Sequence, residues 1–151
     1  MALDNEQDDV PRTISVVMPA YNAEDLLPKV LAPLLHMQEA GEIAEIIVID
    51  DHSTDGSKAV AASFGVTVYQ TSQNGGPGLA RNLGAEHAKG DILWFIDSDV
   101  IVHEGGAPLI LEAFQDSSVS AVFGSYDDTP PADNFASQYK NLTHRYYHQR
   151  G

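Results

Sequence analysis

Two carboxylates stand close together at the end of an apolar run. Asp97 and Asp99 follow Ile92–Ile96, and only Ser98 separates them. Five apolar residues in succession predict a strand that is buried on both faces. Because like charges at a strand end repel each other, the pair favours a positive partner. Carboxylate oxygens are hard ligands, so the sequence predicts that Mg²⁺ or Mn²⁺ is this partner.

Further residues whose side chains could bind a ligand follow the other apolar runs. The ring of Tyr21 can stack on a planar base. The carboxylate of Asp50 or Asp51 can accept a hydrogen bond from an imide N–H or a ribose hydroxyl. The glycine-rich segment at 74–78 permits close approach of the backbone, and Arg81 after it suits a phosphate. The predicted ligand site consists of Pro19, Ala20, Tyr21, Asn22, Asp50, Asp51, Gly76, Arg81, Asp97 and Ser98.

Three of these features also have purely structural interpretations. The Asp50–Asp51 pair fits a turn that caps the helix after it. The glycines of NGGPG at 74–78 fit a turn in which they serve only geometry. Arg81 fits a surface ion pair with Glu86 or Asp55. The sequence leaves these alternatives open.

Alternating strands and helices position these groups. Apolar, β-branched runs predict strands at 14–20, 45–50, 66–70, 91–97 and 119–124. Helical spacing of apolar residues predicts helices at 24–38, 53–63, 77–88 and 107–116, and a last one from Phe135 to Tyr146. This order indicates an α/β fold, a Rossmann-like and mostly parallel sheet with helices on both faces. Ligands bind such sheets beyond the carboxyl ends of the strands, where the candidate residues stand.

The starts of the helices depend on local signals. Asn22 is expected to be the N-cap of the first helix, and Pro28 favours a late start. Ser53 or Thr54 is expected to cap the second helix. Pro77 predicts the first turn of the third helix, because its fixed φ suits that position.

Composition and charge exclude several classes of partner. The chain has 22 acidic and 8 basic residues and a net charge of −14, so no nucleic-acid partner is expected. Its apolar runs are too short to span a membrane, and it has no cysteine. The acidic start is not a signal peptide, so we expect a cytoplasmic location, with the full-length protein able to associate with a membrane. Residues 1–11 are expected to be a flexible acidic tail, and 12–151 a single domain.

Four segments of the chain resemble the family 2 glycosyltransferases of GT-A fold. In order, they are SVVMPAYNAED, EIIVIDDHSTDGS, NGGPGLARNLGAEHAKGD and WFIDSDV, and together they extend over roughly residues 13–125. The resemblance implies transfer of a sugar from a nucleotide-diphosphate donor, first of all a UDP-sugar. The acceptor would be a glycan, a lipid or a small molecule. It also implies help from Mg²⁺ or Mn²⁺.

The resemblance also implies a role for individual residues. Tyr21 and Asp51 match the family's contacts to the nucleobase. Asp97 and Asp99 match its contacts to ribose and metal, with Asp99 as the main metal ligand. Arg81 lies in the segment that lines the diphosphate.

The base that would deprotonate the acceptor is not found in the sequence. No acidic residue after Asp99 stands in a family-like base motif, so we expect the general base to lie outside this chain. Residues 12–151 are accordingly expected to be a partial domain without the acceptor half. A module that binds a nucleotide sugar without transferring it remains the alternative, and self-association into a homo-oligomer is a further expectation.

Overall fold

The computed structural model describes residues 12–125. The described elements are β1 Ile14–Ala20, α1 Leu27–Glu39, β2 Glu45–Asp50, α2 Ser57–Ser63, β3 Thr67–Gln70, α3 Pro77–His87, β4 Ile92–Phe95 and α4 Gly106–Ala113. The four strands form one parallel sheet in the order β3-β2-β1-β4. The predicted α/β class with a mostly parallel, Rossmann-like sheet is confirmed.

The order of the strands distributes the helices over the sheet. From β1 the chain moves outward through α1 to β2 and through α2 to β3. Helix α3 then leads back across the sheet to β4, on the other side of β1. Because crossovers between parallel strands are right-handed, α1 and α2 lie on one face and α3 on the opposite face.

The core lies between the two central strands and the helices. All seven residues of β1 are buried, and so are the last five of β2. Helix α1 buries one stripe, formed by Leu27, Val30, Leu31, Leu34 and Met37. This stripe has the spacing of one helix face, so apolar periodicity alone accounts for the packing of α1.

The prediction that the fourth strand, β4, is buried on both faces is wrong. The side chains of Leu93 and Phe95 are 38% and 45% exposed. They share a face with Ser15 and Val17, their partners in β1. Helix α3 covers β1 and β2 on that face, and β4 lies beyond them as the outer strand of the described sheet.

Two predicted helix starts are also wrong. Helix α1 has Leu26 rather than Asn22 at its N-cap position, although its late start agrees with the effect expected of Pro28. Helix α2 begins at Ser57, with Gly56 at the N-cap position, and not after Ser53 or Thr54. Neither helix has a side-chain hydrogen bond from its N-cap residue. Helix α3 begins at Pro77 as predicted.

The chain divides after Leu111 into two compact units, and every candidate site residue lies in the first. Of the second unit the structure describes residues 112–125. The strand predicted at 119–124 is not formed in the described structure. The acidic tail at 1–11, the predicted helix from Phe135 to Tyr146 and the end of the 12–151 domain lie outside the described residues.

Candidate functional site

The loops that follow β1 and β2 are tied together by hydrogen bonds between side chains and backbone. The side chain of Asn22 accepts a bond from the backbone N–H of Thr54 (2.9 Å), and the Asn22 N–H donates to the hydroxyl of Ser53 (3.0 Å). The N–H of Ala23 donates to the hydroxyl of Ser57 (2.7 Å). Asn22 therefore fixes one loop against the other, and its backbone is left-handed with a φ of 49°.

A second set of bonds links the same loops through two carboxylates. Glu24 accepts from the N–H of Gly56 (2.8 Å), and its own N–H donates to Asp55 (3.2 Å). Asp55 also accepts from the hydroxyl and the N–H of Ser57, at 2.5 and 2.9 Å. The hydroxyl bond is the main cause that holds the pKa of Asp55 below its ordinary value. The shape of these loops thus comes from tertiary contacts.

The residues at the end of β1 differ in accessibility. Pro19 and Ala20 are buried within the strand, whereas Tyr21 is 50% exposed. Among these three predicted site residues, Tyr21 therefore presents the accessible surface for a planar ligand.

Asp50, at the end of β2, is almost completely buried. One of its carboxylate oxygens, Oδ2, accepts from the side-chain amide of Gln70 (2.8 Å) and from the N–H of Ser53 (3.4 Å). Lys58 donates to the same Gln70 side chain (2.8 Å). The other oxygen, Oδ1, is buried and has no hydrogen-bond partner among residues 12–125. The bond to Ser53 supports the turn interpretation for Asp50.

Asp51 holds the glycine-rich loop. Its Oδ1 accepts from the hydroxyl of Thr71 (2.9 Å) and from the N–H of Gly75 (3.1 Å), and its Oδ2 accepts from the N–H of Gly76 (2.7 Å). Burial raises the pKa of Asp51, but these three bonds and the charge of His52 outweigh burial and hold the pKa below the ordinary 3.8. The three donors therefore stabilise the ionised form of the Asp51 side chain.

The glycine-rich loop leads directly into α3. Gly76 is the N-cap residue of that helix with a φ of 83°, a left-handed conformation that favours glycine. Farther along α3, a Cβ atom at Gly84 would lie 2.3 Å from Cγ1 of Val17 and 3.2 Å from Cγ1 of Ile49. The absence of a side chain at Gly84 therefore allows α3 to lie close against β1 and β2.

Arg81 joins α3 to the segment after β4. Its Nη2 atom lies 2.5 Å from Oδ1 of Asp97, and the two side chains are 34% and 53% exposed. Neither Glu86 nor Asp55, the alternative partners that the sequence suggests, forms this ion pair. In the described structure the positive partner of Asp97 is thus the guanidinium of Arg81.

Asp99 and Ser98 complete the segment after β4. Asp99 is exposed, and Ser98 is partly exposed. Within residues 12–125 no group of three or more histidine, aspartate or glutamate side chains is arranged to hold a metal ion. The metal-binding role of Asp97 and Asp99 therefore stays a prediction.

Residues that the sequence analysis did not single out support the site from β3. Thr71 and Gln70 bond to the carboxylates of Asp51 and Asp50, respectively. Their polar side chains stand at the carboxyl end of a strand, next to the glycine-rich loop. The rule that ligand-site residues collect at strand ends was a signal that could have identified them.

Comparison with known proteins identifies the family. The sequence model described as Glycosyl transferase family 2 matches residues 15–151. The chain belongs to this family, as the resemblance in its four segments implies.

Individual relatives agree with this assignment. Glycosyltransferase GlyG of Streptococcus pneumoniae is 32% identical over 125 residues, which are 80% of this chain and 41% of the relative. The crystal structure of S. aureus TarS 1-349 in complex with UDP has a TM-score of 0.64 and 25% identity, over 78% of this chain and 40% of that one.

Another solved structure matches with higher identity over a shorter part. Glucosyl-3-phosphoglycerate synthase from Mycobacterium tuberculosis, in complex with Mn²⁺, UDP and phosphoglyceric acid, has a TM-score of 0.52 and 38% identity, over 60% of this chain and 34% of that one. The present chain thus spans less than half the length of each of these three proteins. Within residues 12–125, no helix has the length and apolar character needed to cross a membrane.

Proposed function

We propose that this chain binds a nucleotide-diphosphate sugar, with a UDP-sugar as the first candidate, and provides the donor side of a glycosyl transfer. The observation that carries the proposal is the convergence of polar groups at the carboxyl ends of the strands. Tyr21 follows β1, Asp51 follows β2, and Arg81 on α3 pairs with Asp97 after β4. The relatives in complex with UDP support the choice of nucleotide.

The base would be bound by the loops that follow β1 and β2. The half-exposed ring of Tyr21 offers a stacking surface for a pyrimidine. A carboxylate has about four acceptor positions, and Asp51 uses three of them for the protein. One position remains for a donor from the nucleobase.

Arg81 would act on the diphosphate. A guanidinium has five N–H donors, and the pair with Asp97 engages Nη2, so further donors remain for phosphate oxygens. During transfer the bond between the sugar C1 and the diphosphate oxygen breaks, and negative charge grows on the departing diphosphate. A fixed cation at this place stabilises that charge more in the transition state than in the ground state.

Asp97 and Asp99 would hold the divalent ion. Their oxygens have the hard character that Mg²⁺ and Mn²⁺ prefer, and Asp99 is exposed. Because residues 12–125 offer no third acidic or histidine ligand here, diphosphate oxygens and water would complete the coordination. When bound, the ion would offset charge on the diphosphate. The relative in complex with Mn²⁺ and UDP supports this part of the proposal.

Calorimetric titration with nucleotides tests the proposed function. We expect UDP and at least one UDP-sugar to bind in Mn²⁺, with weaker binding in EDTA, and GDP and dTDP to bind less tightly than UDP. Radiolabelled sugars from the donors that bind would then be offered to glycan, lipid and small-molecule acceptors. Failure of every nucleotide to bind would contradict the proposed function, and equal UDP affinity in EDTA and Mn²⁺ would contradict the metal's role.

A further inference from the structure

A buried carboxylate and a buried hydroxyl stand beneath the glycine-rich loop. The side chains of Asp51 and Thr71 are 3% and 6% exposed, and the Thr71 hydroxyl donates to Oδ1 of Asp51 at 2.9 Å. The N–H groups of Gly75 and Gly76 donate to opposite oxygens of the same carboxylate. One carboxylate therefore joins the ends of β2 and β3 to the loop before α3.

The position of the Thr71 hydroxyl is set by the sheet. The backbone N–H of Thr71 donates to the carbonyl oxygen of Asp50 at 3.0 Å, which extends the pairing of β2 with β3 by one residue. Thr71 is β-branched, so its χ1 angle is restricted. A carboxylate rotates easily about its last bond, and a hydroxyl fixed on one oxygen limits that rotation. With Oδ1 of Asp51 held in this way, Oδ2 is directed at the N–H of Gly76.

We propose that Thr71 is a positioning residue for the donor site: its hydroxyl orients the Asp51 carboxylate, which fixes Gly75 and Gly76 and so the start of α3. The consequence reaches the diphosphate side of the site, because α3 begins directly after Gly76 and carries Arg81. Thr71 acts here without touching the ligand. This inference rests on the proposed function for its donor-site role, whereas the effect on the loop depends on the described contacts alone.

Three variants separate this role from a general effect on stability. Thr71→Val removes the hydroxyl and keeps the shape of the side chain, and Thr71→Ser keeps the hydroxyl. Thr67→Val is the matched control, since Thr67 lies exposed in β3, the strand that Thr71 directly follows. Amide hydrogen exchange measured by NMR reports on each loop residue, and calorimetry in Mn²⁺ reports on UDP affinity.

We expect Thr71→Val to speed exchange at Gly75 and Gly76 by about tenfold or more, the scale of one lost hydrogen bond to a charged group. Exchange in β1 and β2 should change by less than about twofold. UDP affinity should fall several-fold, and Thr71→Ser and Thr67→Val should stay close to the unaltered chain in both measurements.

Three results would overturn the inference. Unchanged exchange at Gly75 and Gly76 in Thr71→Val would show that the hydroxyl does not order the loop. Uniformly faster exchange throughout the sheet would show that Thr71 contributes to the stability of the whole fold and not specifically to the order of the loop. Faster loop exchange with unaltered UDP affinity would separate the loop from the donor site. If the unaltered chain binds no nucleotide, the proposed function fails instead, and the exchange data still decide whether Thr71 orders the loop.

Discussion

The guanidinium of Arg81 and the carboxylate of Asp97 form an ion pair with an Nη2–Oδ1 distance of 2.5 Å. The pair connects α3, on one face of the sheet, with the segment that follows the outer strand β4. It also distinguishes the two acids of the Asp-x-Asp segment. Both residues are exposed, but the ion pair involves Asp97 and not Asp99.

Replacement of Asp99 should affect metal-dependent binding specifically. We expect Asp99→Asn to weaken UDP binding in Mn²⁺ by about 1–3 kcal/mol, the scale of a lost charge-assisted contact, and to leave the weaker binding in EDTA unchanged. Calorimetry in both conditions measures the two effects. Glu39→Gln is a control that removes one exposed charge at the end of α1. An equal loss in Mn²⁺ and in EDTA would show that Asp99 does not act through a metal.

Replacement of Arg81 should affect the diphosphate more than the fold. Because the ion pair is partly exposed, Arg81→Met should change the free energy of unfolding by no more than about 1 kcal/mol in urea denaturation. Affinity for UDP should fall, whereas affinity for uridine, which has no phosphate, should be retained. Arg81→Lys keeps the charge but not the planar fork, so its UDP affinity should be intermediate. A parallel loss for uridine would place Arg81 near the base or in the fold.

Acid should release the glycine-rich loop. The pKa of Asp51 is lowered in the folded protein, so its contribution to stability is fully present above the unfolded pKa and is lost as pH falls through the lower folded pKa. Asp51→Asn should remove this contribution and flatten the pH dependence of unfolding as pH falls past the ordinary carboxyl pKa of 3.8. Urea denaturation as a function of pH, compared with the unaltered chain, measures the difference. Identical pH profiles for the two chains would contradict the prediction.

Two glycines of α3 should respond to alanine with opposite signs. A Cβ atom at Gly84 meets Val17 at 2.3 Å, so Gly84→Ala should destabilise by about 1–3 kcal/mol. A Cβ atom at Gly78 has nothing within 4 Å, so Gly78→Ala should stabilise by about 0.5–1 kcal/mol through helix propensity. Thermal and urea denaturation compare the two variants. Equal effects at both positions would show that close packing at Gly84 does not govern the position of α3.

The elements that the sequence predicts best are those whose signals are local. Pro77 at the start and the polar residues near His87 at the end define α3, and the structure gives the helix these bounds. The apolar runs that become β1 and β2 are likewise buried as expected. In these elements the residues that determine the structure lie within the element itself.

The sequence fails where distant residues decide the outcome. Asn22 has the chemistry of an N-cap, but its side chain bonds to Thr54 in the next loop. Leu93 and Phe95 are apolar, but their exposure depends on the place of β4 in the sheet order. Thr71 directly follows a strand, and its role depends on the hydrogen bond from its hydroxyl to Asp51 beneath the glycine-rich loop. Each of these facts depends on contacts between residues far apart in the chain.

The sheet order has a consequence for how the protein folds during synthesis. Strands β1, β2 and β3 are made in the order in which they pair, so each can join the sheet as it leaves the ribosome. The other edge of β1 must wait for Ile92–Phe95, whose first register pair joins Ile14 to Ile92. Until then a fully buried apolar strand has an open edge that other chains can pair with. Slow translation before β4 should therefore promote aggregation of the nascent chain, and the acids after β4 reach their place only when β4 pairs with β1.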